Sequence, residues 1–290
     1  MKRLWYMTAF CLIAIGVVGV ASFDWNGGDK DMIEYEEKWT YSAEELRDLS
    51  IKSDYSVNMT FERSTDGRNS IHLTGRGTEQ MIAKVRETEI SDGSLRLELV
   101  RLPKRYIQLF NFDFGNQNRQ HLVVSVTDDA LLDRLKLKLD SGSIRLTDAA
   151  YLPISAAELA TDSGSVSLDN FRSETLNVDI DSGSINANNV TANLTASTDS
   201  GSIKIEGLTG PANIDVDSGS VRLTKLDNAD TRIKTDSGSV FVRVPEGFAG
   251  SYDVKADSGR VRYPETKPET TDYVKIRTGS GSITVEEASR

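Results

Sequence analysis

The chain has 290 residues, 38% hydrophobic and 7% aromatic, with 44 acidic residues against 34 basic ones and a net charge of −10. That length suits one large domain or two small ones, and the sparse apolar content suits a fold with a thin core. An acidic chain is a poor partner for nucleic acid, whose phosphates need lysine and arginine. The lone cysteine, Cys11, excludes an internal disulfide and a cysteine-based metal site, and two histidines, His72 and His121, leave little for histidine chemistry.

At the N-terminus, Lys2 and Arg3 precede an uncharged run from Leu4 to Phe23. As a helix that run spans roughly 30 Å, the thickness of one bilayer core. The basic flank predicts a cytoplasmic N-terminus with everything after Phe23 outside the cell membrane. The expectation is a single-pass anchor over residues 1–23, embedded through residues 4–23. A secretory signal peptide cut after Ala21 is the alternative. Phe10, directly before Cys11, is too large for a lipoprotein signal. Residues 24–40 are acidic and contain glycine, and read as a linker. "SAEELRDL" from Ser42 has helical residue types but is short enough to lead straight into a strand.

Residues 41–134 read as a strand-rich N-terminal part. "LSIKS", "YSVNMTFE", "NSIHLTG" and "LRLELV" alternate apolar and polar side chains with period two. "SDGSL" from Ser91 looks like a divergent relative of a motif that follows. "YIQLFNFDF" from Tyr106 is the most aromatic segment and is expected to cap or thicken the core.

Residues 135–290 are repetitive. "DSGSI" begins at Asp140, Asp181 and Asp199, and "DSGSV" at Asp162, Asp217 and Asp236. "DSGRV" follows at Asp257 and "GSGSI" at Gly279. The motif glycines, Gly142, Gly164, Gly183, Gly201, Gly219, Gly238, Gly259 and Gly281, recur every 18 to 22 residues, a period of repeat arrays. In "LKLKLDSGSIRL", Leu135, Leu137 and Leu139 alternate with lysines before the motif, and Ile144 and Leu146 flank Arg145 after it. Each repeat is therefore two short strands with one apolar face, joined at a tight corner. Tandem hairpins would satisfy this facing too. The near-constant length favours coils stacked in parallel, like on like. The expected fold is all-β: a parallel β-solenoid, or β-helix, of about eight coils with a strand-rich cap, preceded by one transmembrane helix. Stacked about 4.8 Å apart, the coils would form a rod roughly 35–40 Å long.

Each residue of the motif has a structural use. Asp can accept from a backbone N–H within the turn, Gly can take a positive φ, and Ser can bond locally. The rival reading is a cation row along Asp140, Asp162, Asp181, Asp199, Asp217, Asp236 and Asp257. Ca²⁺ needs about six to eight oxygens, and the spacing is not that of Ca²⁺-binding β-rolls. Gly279 also replaces the aspartate in the last copy. No metal site is therefore assigned, and no cofactor is expected. Thr161, Thr198, Thr235 and Thr278 occupy inward positions before the corner, where a hydroxyl could bond the corner backbone. Outward positions carry mixed charges, with opposite neighbours such as Asp215 and Lys234. The basic members could touch anionic wall polymer, and Phe241 points outward as a candidate surface contact.

No catalytic residue is assigned. His72 and His121 sit in strand-like stretches, and no nucleophile elbow, phosphate loop or metal-spaced His/Glu pair is present. Parallel β-helices host polysaccharide-cleaving enzymes, so an enzyme acting on envelope polysaccharide is the alternative function. The linkers "NANNVTAN", "EGLTGPAN" and "LDNADT" are short for building a cleft.

Repeats such as "IEGLTGPANIDVDSGSVRL", and the lead-in "HLVVSVTDDALLDRLKLKLDSGSIRL", resemble a bacterial family of unknown function that carries a provisional adhesin label. The resemblance covers roughly residues 40–290, and the anchored layout is most similar to the branch encoded with cell-envelope-stress operons. It implies a β-solenoid at the cell envelope and a non-enzymatic binding or scaffold role, with wall polymer or an envelope protein as partner. It carries no catalytic residues over.

Overall fold

The computed structural model describes residues 32–101, 119–265 and 268–288. The expected anchor at 1–23, residues 24–31 of the expected linker and the aromatic segment from Tyr106 lie outside them. No helix among the described residues is long and apolar enough to cross a membrane.

The strands are β1 (Ile33–Tyr41), β2 (Asp48–Ser53), β3 (Ser56–Arg63), β4 (Asn69–Gly77), β5 (Ser94–Leu99), β6 (Arg119–Val126) and β7 (Leu132–Thr147). They continue with β8 (Ile154–Thr209), β9 (Ala212–Lys225), β10 (Thr231–Val244), β11 (Ser251–Ser258), β12 (Val261–Arg262), β13 (Tyr273–Ser280) and β14 (Ile283–Glu287). Among the described residues a single short helix, α1 (Glu79–Arg86), interrupts them between β4 and β5. β8 is one extended run of 56 residues that winds through three copies of the corner motif.

Pairing between coils is parallel and in register, which decides against tandem hairpins. Gly142 pairs with Gly164, Gly201 with Gly219, and Gly219 with Gly238. One inward column of the core runs through Leu137 and Leu159, and further along through Ala196, Ile214, Ile233, Ile276 and Val254. These side chains are almost all fully buried, and only Val254, at the end of the stack, is half-exposed. Period-two alternation thus produces a thin, continuous apolar core with polar side chains outside.

The coils do not stack in chain order at either end. β13 and β14 lie between β10 and the β11–β12 coil, so the last coil in sequence is inserted beneath the one before it. At the other end the coil of β2 and β3 sits directly on β7, and β5 and β6 lie outside it. Two further coils therefore precede the eight that carry the motif. β4 extends this end antiparallel to β6, and β1 pairs antiparallel with β4 beyond it. Residues 33–40, expected to end a linker, thus belong to a capping strand.

Helix α1 was not legible in the alternation of this region. Its Met81, Ile82 and Val85 are buried, against β5 and β1. Thr78 caps it, its Oγ1 accepting from the Met81 N–H at 3.3 Å. "SDGSL" is not a corner of the stack. It is a tight turn with positive φ at Asp92 (50°) and Gly93 (75°), closed by paired bonds between Ser91 and Ser94. The counterpart of the motif in the first coil is Ser53 to Ser56, because Ser53 aligns with Leu139 and Val57 with Ile144.

Candidate functional site

The repeated corner builds three columns along the stack. The central one is glycine. A Cβ on Gly164 would lie 1.7 Å from the Gly142 carbonyl oxygen, and the same 1.7 Å separates Gly183 from Gly164 and Gly219 from Gly201. The column then passes from Gly238 to Gly281 and on to Gly259. Close backbone approach, as much as the turn itself, fixes glycine here.

The serine column works between coils and not only within them. Ser165 donates to Ser143 at 2.9 Å, Ser239 and Ser282 lie 3.2 Å apart, and the Ser143 N–H donates to Ser56 Oγ at 3.1 Å.

The aspartate column departs from expectation. Among the described residues, Asp140, Asp162, Asp181, Asp199 and Asp217 are exposed and accept no hydrogen bond or ion pair, so no Asx turn forms. Asp236 and Asp257 meet only Lys234 at 3.5 Å and Lys255 at 3.3 Å, each two residues back. Gly279 interrupts this column between Asp236 and Asp257, because its coil is the inserted one. Among the described residues, no group of three His, Cys, Asp or Glu side chains is placed to hold a metal ion.

The inward threonines are all buried but meet different fates. Thr161 donates to the Ser163 carbonyl at 3.4 Å, the corner bond the alternation suggested. Thr235 donates to Thr278 at 2.8 Å, a contact that exists only because of the inserted coil. Thr198 has no partner for its hydroxyl and pairs in register with Val216.

A second corner column escaped the sequence reading. Asp148, Asn170, Asn189 and Gly207 all have positive φ, from 51° to 82°, and are spaced as the motif glycines are. Asn189 donates to Asn170 Oδ1 at 2.7 Å and Asn170 to Asp148 Oδ1 at 3.3 Å. The available signal was the Asx or Gly recurring in "TDAA", "LDNF", "NNVT" and "EGLT".

Outward positions form the accessible surface. Asp215 and Lys234 lie 3.9 Å apart across adjacent coils, as the alternation implied. After the corner, Ser167, Asp169, Asn186, Asn188, Lys204 and Glu206 line a shallow groove of about 260 Å³. Its walls are pre-bonded: Asn188 donates to Asp169 at 2.7 Å, and Lys204 meets Glu206 at 2.8 Å. The Lys204 bond holds the Glu206 carboxyl below its ordinary range. Phe241 continues this face, half-buried, with Arg222 and Arg243 over its ring. A wider groove of about 750 Å³ lies at the capped end, lined by Glu34, Tyr35, Glu36, Arg76, Arg119 and His121 among others. His72 pairs with Glu36 at 2.7 Å, and His121 is exposed on β6.

Residues 46–289 match the family model described as Toastrack DUF4097. The chain belongs to this family. No curated protein gives a significant match. Among solved structures, this Toastrack chain is similar to a provisionally named adhesin from Bacteroides fragilis, at 14% identity over 89% of this chain and 98% of that one, with a TM-score of 0.44. It is also similar to a provisionally named cell adhesion protein from Clostridium sporogenes, at 12% identity over 88% of this chain and 100% of that one, with a TM-score of 0.31. A provisionally named lipid binding protein from Parabacteroides distasonis matches at 14% identity over 89% and 98%, with a TM-score of 0.26.

Proposed function

We propose that this Toastrack chain is a non-enzymatic binding and scaffold module of the cell envelope. Residues 1–23 tether it, and the stacked coils stand on the extracytoplasmic side. The expected anchored layout resembles that of the LiaG-type branch, and this resemblance supports a part in the response to envelope stress. The observation that carries the binding role is the outward face after the corner. There the in-register coils repeat polar side chains at the strand spacing of about 4.8 Å, in a groove open along the stack. Such a surface suits an extended partner lying across several coils, either a wall polymer or a segment of an envelope protein.

The test is co-purification. The full chain, crosslinked in cells and recovered with its neighbours, should carry wall material or a defined envelope protein. Recovery of neither removes the reading. In the same cells the stacked domain should be digested by external protease while the N-terminal segment stays with the membrane. A domain shielded from protease until lysis would overturn the assigned side.

A further inference from the structure

The outward row after the corner reads Lys204, Arg222, Phe241, Thr284 and Arg262 in the order of the stacked coils. Phe241 is the only aromatic among these five. Arg222, from the neighbouring coil, places its guanidinium carbon 4.7 Å from the ring centroid, and Arg243, two residues along the same strand, places its own at 5.5 Å. A ring attracts a guanidinium through its face and uses none of its N–H donors.

Those donors remain available. Among the described residues Arg222 makes no hydrogen bond or ion pair, and Arg243 reaches Glu286 only at 4.0 Å. Other cations on the same sheet are paired closely: Arg277 bonds Asp253 at 2.5 and 2.6 Å, and Lys136 bonds Glu158 at 2.8 and 2.9 Å. Stacking removes side-chain freedom before a ligand arrives, which lowers the cost of binding. A guanidinium fork so held matches the paired oxygens of phosphate or carboxylate. In this row and the one two residues further on, Lys204, Arg222, Arg243 and Arg262 stand against Glu206, Glu286 and, across the groove, Asp169, a local positive surplus on a chain of net charge −10. The corner aspartates Asp217 and Asp236 precede Arg222 and Phe241 by five residues, before the bend.

We propose that Arg222 and Arg243, held on Phe241, form an anion subsite for a linear polymer bearing phosphodiester or carboxylate groups, which runs along the stack over Lys204 and Arg262. This deepens the binding-module reading and rests on it.

The test uses the full-length chain with three polymers: polyphosphate, poly-L-glutamate and neutral dextran. Binding is measured by calorimetry at two salt concentrations. Wild type should bind at least one polyanion, more weakly at high salt, and should ignore dextran. The tighter of the two polyanions names the anionic group. Arg222→Gln with Arg243→Gln should weaken binding about tenfold or more, since hydrogen bonds to charged groups are the strong ones. Phe241→Leu, which keeps both charges, should lose part of that affinity. Arg134→Gln with Arg232→Gln removes the same charge from exposed arginines that lie before the corner and lack an aromatic platform, and should change affinity less than about twofold. Equal loss in both double variants would reduce the effect to diffuse charge and overturn the subsite. So would a wild type that binds neither polyanion, or binds dextran as well. If envelope partners still co-purify with the Arg222/Arg243 variant at wild-type levels, the subsite fails while the module reading stands.

Discussion

At the residue scale, the corner motif combines two demands that its spelling does not separate. Glycine is legible in the sequence as a turn former, and Gly183 does have a φ of 147°. The stronger demand comes from the neighbouring coil, since a Cβ on Gly183 would lie 1.7 Å from the Gly164 carbonyl oxygen. Gly67 isolates the first demand: its φ is 74° with nothing within 4 Å of an added Cβ. Gly67→Ala should therefore cost about 1–2 kcal/mol, the strain of a left-handed backbone. Gly183→Ala should cost about 3 kcal/mol or more, because strain and overpacking add. Denaturant midpoints of the two variants measure this, and equal costs would mean that the stacked corners can open. Thr198 gives the opposite sign. Its buried hydroxyl has no partner, so Thr198→Val should stabilise the protein by about 1 kcal/mol, seen as a raised Tm. Thr161→Val removes a bonded hydroxyl and should not.

At the element scale, alternation identified the strands of the regular coils because each buries one face and exposes the other. Leu135, Leu137 and Leu139 are fully buried on β7, as their spacing implied. Helix α1 was hidden because eight residues carry too few turns for a 3.6-residue period to stand out from a strand-rich background. The distal coil is marked in a different way. Its motif is the worn one, "DSGRV", and its inward Val254 and Val261 are only half-buried. Aromatic packing completes this end: Phe248 meets Tyr252 at 5.2 Å between ring centroids, and Tyr252 meets Tyr263 at 6.0 Å. Burial, with Glu287 nearby, pushes the Tyr252 hydroxyl from its ordinary 10 up to about 12. A raised folded-state value means stability that is whole below pH 10 and is lost as pH climbs from 10 to about 12, since the unfolded chain ionises first. Denaturant midpoints across that window should fall, and fall less in Tyr252→Phe, which also removes an unpartnered hydroxyl. A variant as alkali-sensitive as wild type would mean that other tyrosines, such as Tyr151, carry the loss.

At the scale of the whole molecule, the repeat predicts parallel stacking and leaves the order of the coils open. Near-identical units pair equally well with any neighbour, so the order depends on how the ends are finished. Tyr252 and Phe248 are better suited to a terminal coil than Ile276 and Ile283, which are fully buried between two others. This explains how a sequence with its worn copy next to last can close with that copy outermost. The arrangement gives a direct chemical test. Ser237 and Ser280 pair in adjacent coils, as do Ser280 and Ser258, whereas Ser237 and Ser258 are held apart by the inserted coil. Chain-order stacking would instead make Ser237 and Ser258 neighbours. In a Cys11→Ser background, Ser237→Cys with Ser280→Cys should form a disulfide under mild oxidation, because parallel neighbours fall within the Cα separation of roughly 4.4–6.8 Å that the bond requires. Ser237→Cys with Ser258→Cys spans two strand spacings of about 4.8 Å each, which exceeds that reach. Gel mobility with and without reductant reads both pairs. Crosslinking of the second pair and not the first would return the stack to chain order. It would also leave the Thr235–Thr278 bond without a basis and move Thr284 out from between Phe241 and Arg262.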